Sequence, residues 1–513
     1  MKYARRQFLK TSSGLFVLPF ATQAKVTQSL PPRAYQGLAL GDLSPDGVVL
    51  WSRCNQMATI KVEWSTYEDF RYVQKCPEVD ALEIHDYTIK LPIKALPADQ
   101  EIFVRAHFKS IETGKTSERV FGRFRTPSMS STRPLKFAWS GDLGGQGYGI
   151  NPDIGGYRIF SEIQRTAPDL FFNCGDVIYA DGPLRSEKRL RNGEFWSNIV
   201  TFEKEQVAQT LQQFRGNYRY NYLDPNFRDF SATCPQIYMW DDHETKNNWW
   251  LKRTLRDRRY SERKCRQLST WARQSFFEYL PIAQSPASPK RLYRKLSQGS
   301  LADVFVLDTR SYRGPNSSGR QRRLNANSQM LGPTQVQWLI NELSRSTAIW
   351  KLIVCPQPLG LNVYDGPGKL DGFANNHAGT PRGRELELAY LLGEIQARDV
   401  KNIAWFTADV HYAAAHHFHP DRAKFKQFSP FWEFLAGPLN AATFGPNGLD
   451  PTFGPKVVFQ SLPKGLKPGA SPLEPYQFFG SGHIDEVNKS LTICLHNQFG
   501  TELWRHTLEA ELD

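Results

Sequence analysis

The sequence predicts a small antiparallel β-sandwich followed by a larger α/β domain of buried strands flanked by helices. Three observations carry this. From about residue 35 to 126, short runs of alternating apolar and polar residues are separated by turn residues, the spacing of an antiparallel sandwich. Beyond the polar stretch 127–134 the apolar runs lengthen and alternate with helical patterns, as buried strands of an α/β arrangement do. With 513 residues, 40% of them apolar, the chain has material for two or three domains and a large core. The 37 Gly, 33 Pro and 22% charged residues make a turn-rich globular composition and exclude disordered, collagenous and coiled-coil classes.

Residues 1–24 read as an address rather than as structure. Arg5 and Arg6 precede Phe8, Leu9 and Lys10, an apolar stretch covers 14–21, and Thr22-Gln23-Ala24 is a small-residue cleavage pattern. This resembles a twin-arginine export signal, and its apolar stretch is shorter than the ~20 residues of a permanent span. The implied partner is the twin-arginine export machinery, which carries proteins already folded and often already metal-loaded. The expected product is periplasmic or secreted, with no integral membrane span in the mature form. The net charge of +13 includes Lys2, Arg5, Arg6 and Lys10 from this segment, and the remaining Lys and Arg are scattered. That is a solvated surface, so no nucleic-acid complex is expected, while an anionic small substrate stays open. Seven cysteines form no C-x-x-C and leave an odd one over, which is not a disulfide framework, although Cys54 and Cys76 share the N-terminal region and are the one pair considered for bridging.

In the first domain, 31–127, the strand candidates are 47–51, 60–64, 87–91, 102–106 and 119–124; no chemistry is expected there. In the second, 134–513, they are 135–140, 170–174, 236–240, 304–307, 350–355 and 402–407. The residues at the end of each run matter most: Gly141-Asp142, Gly175-Asp176, Asp241-Asp242-His243-Glu244, Asp308-Thr309-Arg310, Pro356-Gln357 and Asp409-Val410-His411. Sites in open α/β sheets form outside the carboxyl ends of strands, so these polar groups are expected to converge on one edge. A single Asp there often only caps the next helix. Several carboxylates packed together repel one another unless cations or protons offset the repulsion.

The metal donors are Asp142, Asp176, Tyr179, Asp242, Asp409 and His411. Oxygen dominates, which disfavours structural zinc and favours iron(III), calcium, magnesium or manganese; a tyrosinate points further toward iron(III). If Asp176 bridges two ions, one is held with Asp142, Tyr179 and His411 and the other with Asp242 and Asp409. Two ions ~3.5–4 Å apart activate water and polarise a phosphoryl oxygen, the signature of phosphoester hydrolysis. His243 then projects near the bridging region as the catalytic group, placed to protonate the leaving oxygen or to stabilise transition-state charge.

Gly141-Asp142, Gly175-Asp176-Val177-Ile178-Tyr179, Trp240-Asp241-Asp242-His243-Glu244 with Asn247-Asn248, and Ala408-Asp409-Val410-His411 resemble the successive metal motifs of calcineurin-like metallophosphoesterases, specifically the alkaline phosphatase D (PhoD-like) family. The likeness spans almost the whole chain beyond the export segment, and residues 41–53 resemble that family's N-terminal domain. It implies a two-layered β-sheet metallophosphoesterase core flanked by helices, an exported phosphomonoesterase or phosphodiesterase with a metal-bound hydroxide, and a dinuclear or multinuclear site with Fe3+ and Ca2+, or Mn2+. The departures are Gly141-Asp142 where many relatives carry a cysteine, Asp242-His243 where the wider superfamily has Asn-His, and Gln357 where a further His is usual. The alternative is a non-catalytic protein that uses the metal cluster to bind a polyanion.

Several other features have two readings each. Asp308 and Arg310 suit phosphate binding or a structural ion pair. The loop holding Gly144, Gly145, Gln146, Gly147 and Gly149 allows close approach to an anion, but glycine loops alone are weak evidence. Residues 185–228 read as a helix-like lid or as scaffold, and His416, His417 and His419 as a third metal site or as a surface cluster without a carboxylate partner, while 253–264 reads most simply as a solvated helix face.

Overall fold

The computed structural model describes residues 30–130 and 132–512, so the export pattern at 1–24 lies outside the described residues. Among the described residues two large sheets dominate. In the nine-stranded sheet the order is Glu502–Leu508, Leu491–Asn497, Phe478–Ile484, Leu135–Ser140, Leu170–Asn173, Gln236–Tyr238, Leu38–Ser44, Gly47–Arg53 and Thr88–Lys94. In the seven-stranded sheet it is Arg294–Ser297, Ala302–Val306, Trp350–Val354, Ile403–Thr407, Phe431–Leu435, Ala414–Phe418 and Pro455–Gln460. The central strands of each sheet run parallel.

Strand periodicity explains how the sheets meet. Phe137 and Trp139 alternate with Ala138, so the large rings face one side and the small residue the other. The rings pack on the second sheet, with Phe406 edge-on to Phe137 at 5.2 Å and to Trp139 at 4.9 Å. Full burial of a residue of this size contributes ~1.5–3 kcal/mol, and the inter-sheet seam repeats such contacts along its length. On the outer face of the first sheet, Ala138, Phe171 and Tyr238 lie under the helices Ile159–Arg165, Leu211–Asn221, Pro225–Thr233 and Cys265–Tyr279. Phe305, Ile353 and Trp405 lie under Pro333–Arg345 and Glu385–Ala397. The layering is helix, sheet, sheet, helix, the two-layered core that the sequence predicts.

The N-terminal sandwich forms as expected, but it shares a leaf with the larger sheet. Leu40, Leu50 and Leu91 pack against Ile60, Val62, Val104 and Phe108 of a separate five-stranded sheet. Their own strands complete the nine-stranded sheet, where Gly41 pairs in parallel with Gln236. A side chain at 41 would meet the Gln236 carbonyl at 2.7 Å, so glycine is required. Asp42 beside it is buried and takes Arg294 in a two-bond pair at 2.5 and 2.8 Å.

Other stretches differ from their sequence readings. Residues 253–264 are not a helix but turns closed by a bridge between Thr254 and Lys264. Their buried residues, Leu255 and Tyr260, are five apart and give no helical stripe. Residues 185–228 open with a hairpin, Glu187–Arg189 with Phe195–Ser197, and end in buried scaffold helices. His416 is buried and bonded to Glu433 at 2.8 Å, so it does have a carboxylate partner, while His417 on the opposite strand face packs on Trp432. All seven cysteines, Cys54 and Cys76 included, are free thiols.

Candidate metal centre

The parallel strands of both sheets end at a common edge, and the predicted donors sit on the turns that follow. Asp142 comes two residues after Leu135–Ser140, Asp176 and Tyr179 follow Leu170–Asn173, Asp242 and His243 follow Gln236–Tyr238, and Asp409 and His411 follow Ile403–Thr407. The chain turns so sharply there that Asp142, Asp176, Asp409 and His411 all take left-handed backbone, with φ of 66°, 52°, 71° and 60°. Asp and His tolerate this region better than branched residues do. Two glycines make room: a Cβ at Gly145 would lie 2.5 Å from the Tyr179 ring, and one at Gly437 would lie 2.5 Å from Asp142 Oδ2.

All six predicted donors come together. Tyr179 Oη lies 3.0 Å from His411 Nε2, which is 3.3 Å from Asp142 Oδ1. The other ring nitrogen of His411, Nδ1, donates to the Ala442 carbonyl at 2.5 Å. That bond fixes the tautomer and leaves Nε2 as a lone pair aimed into the cluster. Asp176, Asp242 and His243 offer ligand atoms within 4.8 Å of one another, and so do Asp241, Asp242 and Asp409. Asp242 is common to these two groups, which links Asp176 to Asp409.

Burial makes this concentration of charge costly. Desolvation, reinforced by Asp242, Glu244, Asp241 and Asp142, holds the Asp176 carboxyl well above the usual carboxylate range. Asp409 is raised by burial and by Asp241 and Asp242. Tyr179 is raised by burial, then by Asp176 and Asp142. Asp142 Oδ2, Asp241 Oδ2, Asp242 Oδ1 and Asp409 Oδ2 are buried without any hydrogen-bond partner. Four orphaned carboxylate oxygens in one place are what bound cations would satisfy, and the oxygen-rich set with one imidazole suits hard ions. The residues present therefore fit a metal cluster.

The surroundings contain residues that sequence reasoning missed. Asp181 Oδ1 lies 2.6 Å from His243 Nδ1. Burial alone would lower the His243 pKa, but Asp181 and Asp242 outweigh it and push it up to about 9. Glu244 accepts from the N–H groups of Val177 at 2.7 Å, Asp241 at 2.7 Å and Asp176 at 3.2 Å, tying two ligand turns together. Arg310 is fully buried and joins Asp241, at 2.5 Å, to Asp371, at 2.9 Å. It is thus the structural ion pair of its two readings. Asp308 accepts from Trp240 Nε1 and the Arg310 and Ser311 backbone, and Gln357 donates to Asp371, so neither touches the cluster. Asp181 carried no sequence signal, because it meets His243 only through the return of its loop; the doubled acid at Asp241-Asp242 was visible, but which of the two faces the arginine was not.

Residues 137–494 match the model of the PhoD-like phosphatases, and residues 21–128 match that of the PhoD-like phosphatase N-terminal domain. The chain belongs to the PhoD-like phosphatase family. As a PhoD-like phosphatase it is a phosphoester hydrolase. It is similar to alkaline phosphatase D of Bacillus subtilis (strain 168), with 28% identity over 437 residues that cover 81% of this chain and 70% of the relative. Two solved structures share the fold. The structure of PhoD superposes with a TM-score of 0.69 at 21% identity, covering 94% of this chain and 90% of that one. The purple acid phosphatase PPD1 from yellow lupin (Lupinus luteus) seeds does so with 0.57 at 13% identity, covering 93% and 74%. No helix among the described residues of this PhoD-like phosphatase is long and apolar enough to cross a membrane.

Proposed function

We propose that this protein is an exported hydrolase of phosphate mono- or diesters that works at a dinuclear or multinuclear metal site. The observation that carries the reading is the set of four orphaned, buried carboxylate oxygens at the common sheet edge. Asp142, Asp176, Tyr179 and His411 would hold one cation, and Asp176, Asp242 and Asp409 the other, with Asp241 beside them; Fe3+ with Ca2+, or Mn2+, suits these donors. Bound cations supply Lewis-acid polarisation of the phosphoryl oxygen and an activated water.

The protein's own residues do the rest. Asp181 fixes His243 through Nδ1, leaving Nε2 to hold a proton toward the site, and the ring is steadied by packing on Tyr179 at 4.1 Å between centroids, inclined by 30°. Water adds to phosphorus, the P–O ester bond breaks, the leaving oxygen takes the proton from His243 Nε2, and the proton that the attacking water gives up restores that nitrogen. His411 stays oriented by Ala442, and the buried walls exclude bulk water from the carboxylates. The twin-arginine pattern supports export to the periplasm or beyond.

Elemental analysis of the purified protein, paired with a phosphate-ester panel, tests this. Stoichiometric metal and turnover are expected, with His243→Ala keeping its metal while kcat falls ~10²–10⁴-fold. Metal binding without turnover of any ester would favour the polyanion-binding alternative.

A further inference from the structure

The reacting phosphorus carries organic groups that project beyond the carboxylates, so the rim of the site has to receive them. Phe444 stands on that rim. Its segment is pinned against the centre, because the Ala442 carbonyl accepts from His411 Nδ1 at 2.5 Å and the Ala442 N–H donates to Gln146 Oε1 at 3.3 Å. The Phe444 ring lies 4.5 Å from the His411 ring, inclined by 38°, and is still 40% exposed. The loop just beyond it is bonded to a second rim loop, with Asn362 N–H donating to the Gly448 carbonyl at 2.9 Å and Asn447 Nδ2 to the Asn362 carbonyl at 3.0 Å. This second loop displays Tyr364, 54% exposed, and leads to Asp365, which accepts from Asn248 Nδ2 at 3.3 Å. Asn248 in turn donates its N–H to Asp242 Oδ2 at 2.5 Å. Two exposed aromatic rings thus stand on mutually pinned loops, one in contact with His411 and the other connected to the partner of Asp242.

The same rim is basic. Gly469 N–H donates to the Thr443 carbonyl at 2.6 Å, which ties the loop that carries the exposed Lys464 and Lys467 to the residue before Phe444, and Arg191 donates to the Lys467 carbonyl at 3.2 Å. An exposed ring face suits a ligand with a planar π-system.

We propose that Phe444 is a specificity-determining residue that stacks a planar aromatic group of the substrate, so that the preferred class is phosphoesters bearing an aryl ring or a nucleobase next to the reacting phosphorus. The inference rests on the phosphoesterase reading above. Its test compares Phe444→Ala and Phe444→Trp holoenzymes with the parent on three diesters: bis-p-nitrophenyl phosphate, thymidylyl-thymidine and glycerophosphoglycerol. Expected is a roughly tenfold drop in the ratio of aromatic to alkyl kcat/KM for Phe444→Ala, carried by KM, with the ratio kept in Phe444→Trp and metal content equal to the parent. A drop on the dinucleotide alone assigns the ring to a nucleobase, and one on the nitrophenyl ester alone to an aryl group. Equal losses on all three esters, or loss of metal, would mean that Phe444 only covers His411 and would overturn the proposal, as would an unchanged ratio. A parent enzyme inert on every ester would fail one step earlier, at the phosphoesterase reading.

Discussion

Glu244 shows how much a single side chain does for the centre without being one of its donors. It accepts from three buried N–H groups on two ligand turns, so Glu244→Ala strands all three and should cost about 3 kcal/mol in urea unfolding, with metal stoichiometry falling alongside. Glu385 gives a pH signature well away from the cluster. Burial, then the neighbouring Asp450, raise its carboxyl from 4.5 to about 9. Between those values the folded chain holds a proton that the unfolded chain releases, so this contribution to stability is full below pH 4.5 and is lost as pH climbs toward 9, at up to ~1.4 kcal/mol per pH unit. Urea titrations from pH 5 to 9 should show that slope in the parent and a flatter one in Glu385→Gln. At this scale the convergence of the carboxylates was legible because a carboxylate straight after an apolar run has few other uses when the pattern repeats four times. Asp181 and Glu244 were not, because their partners come from turns far along the chain.

At the scale of elements, the glycine loop after Leu135–Ser140 proves specific for a steric reason that glycine content alone does not convey. Gly145→Ala would drive a methyl group into the Tyr179 ring. The ring would have to leave His411, and on the proposed dinuclear reading one of the two ions should be lost or weakened at least tenfold, as measured by metal titration with elemental analysis. The buried strands were legible because runs such as 350–355 have no polar face, whereas 253–264 misled by its density of charge, which fits a turn held by ion pairs as well as a helix. Arg259, for example, is bonded to Asp257 two residues away. Element type follows from periodicity, and there the apolar period was missing.

For the molecule as a whole, the sheet that crosses from the sandwich into the larger layer argues for one cooperative unit. Calorimetry of the holoenzyme should show a single transition, and a chain starting at residue 134 should fail to fold, since it loses the strands beside Gln236–Tyr238 and strands the buried Arg294 without Asp42. Chelation should lower the denaturation midpoint, because the carboxylates at the sheet edge would be left facing one another. The strand that leads to Asp142 has Phe478–Ile484, from far along the chain, as its neighbour on one side. During synthesis that side stays open until Phe478–Ile484 has left the ribosome, so the pocket cannot be finished piecemeal. Any ion held at this edge would then be taken up only after that late segment has joined the sheet.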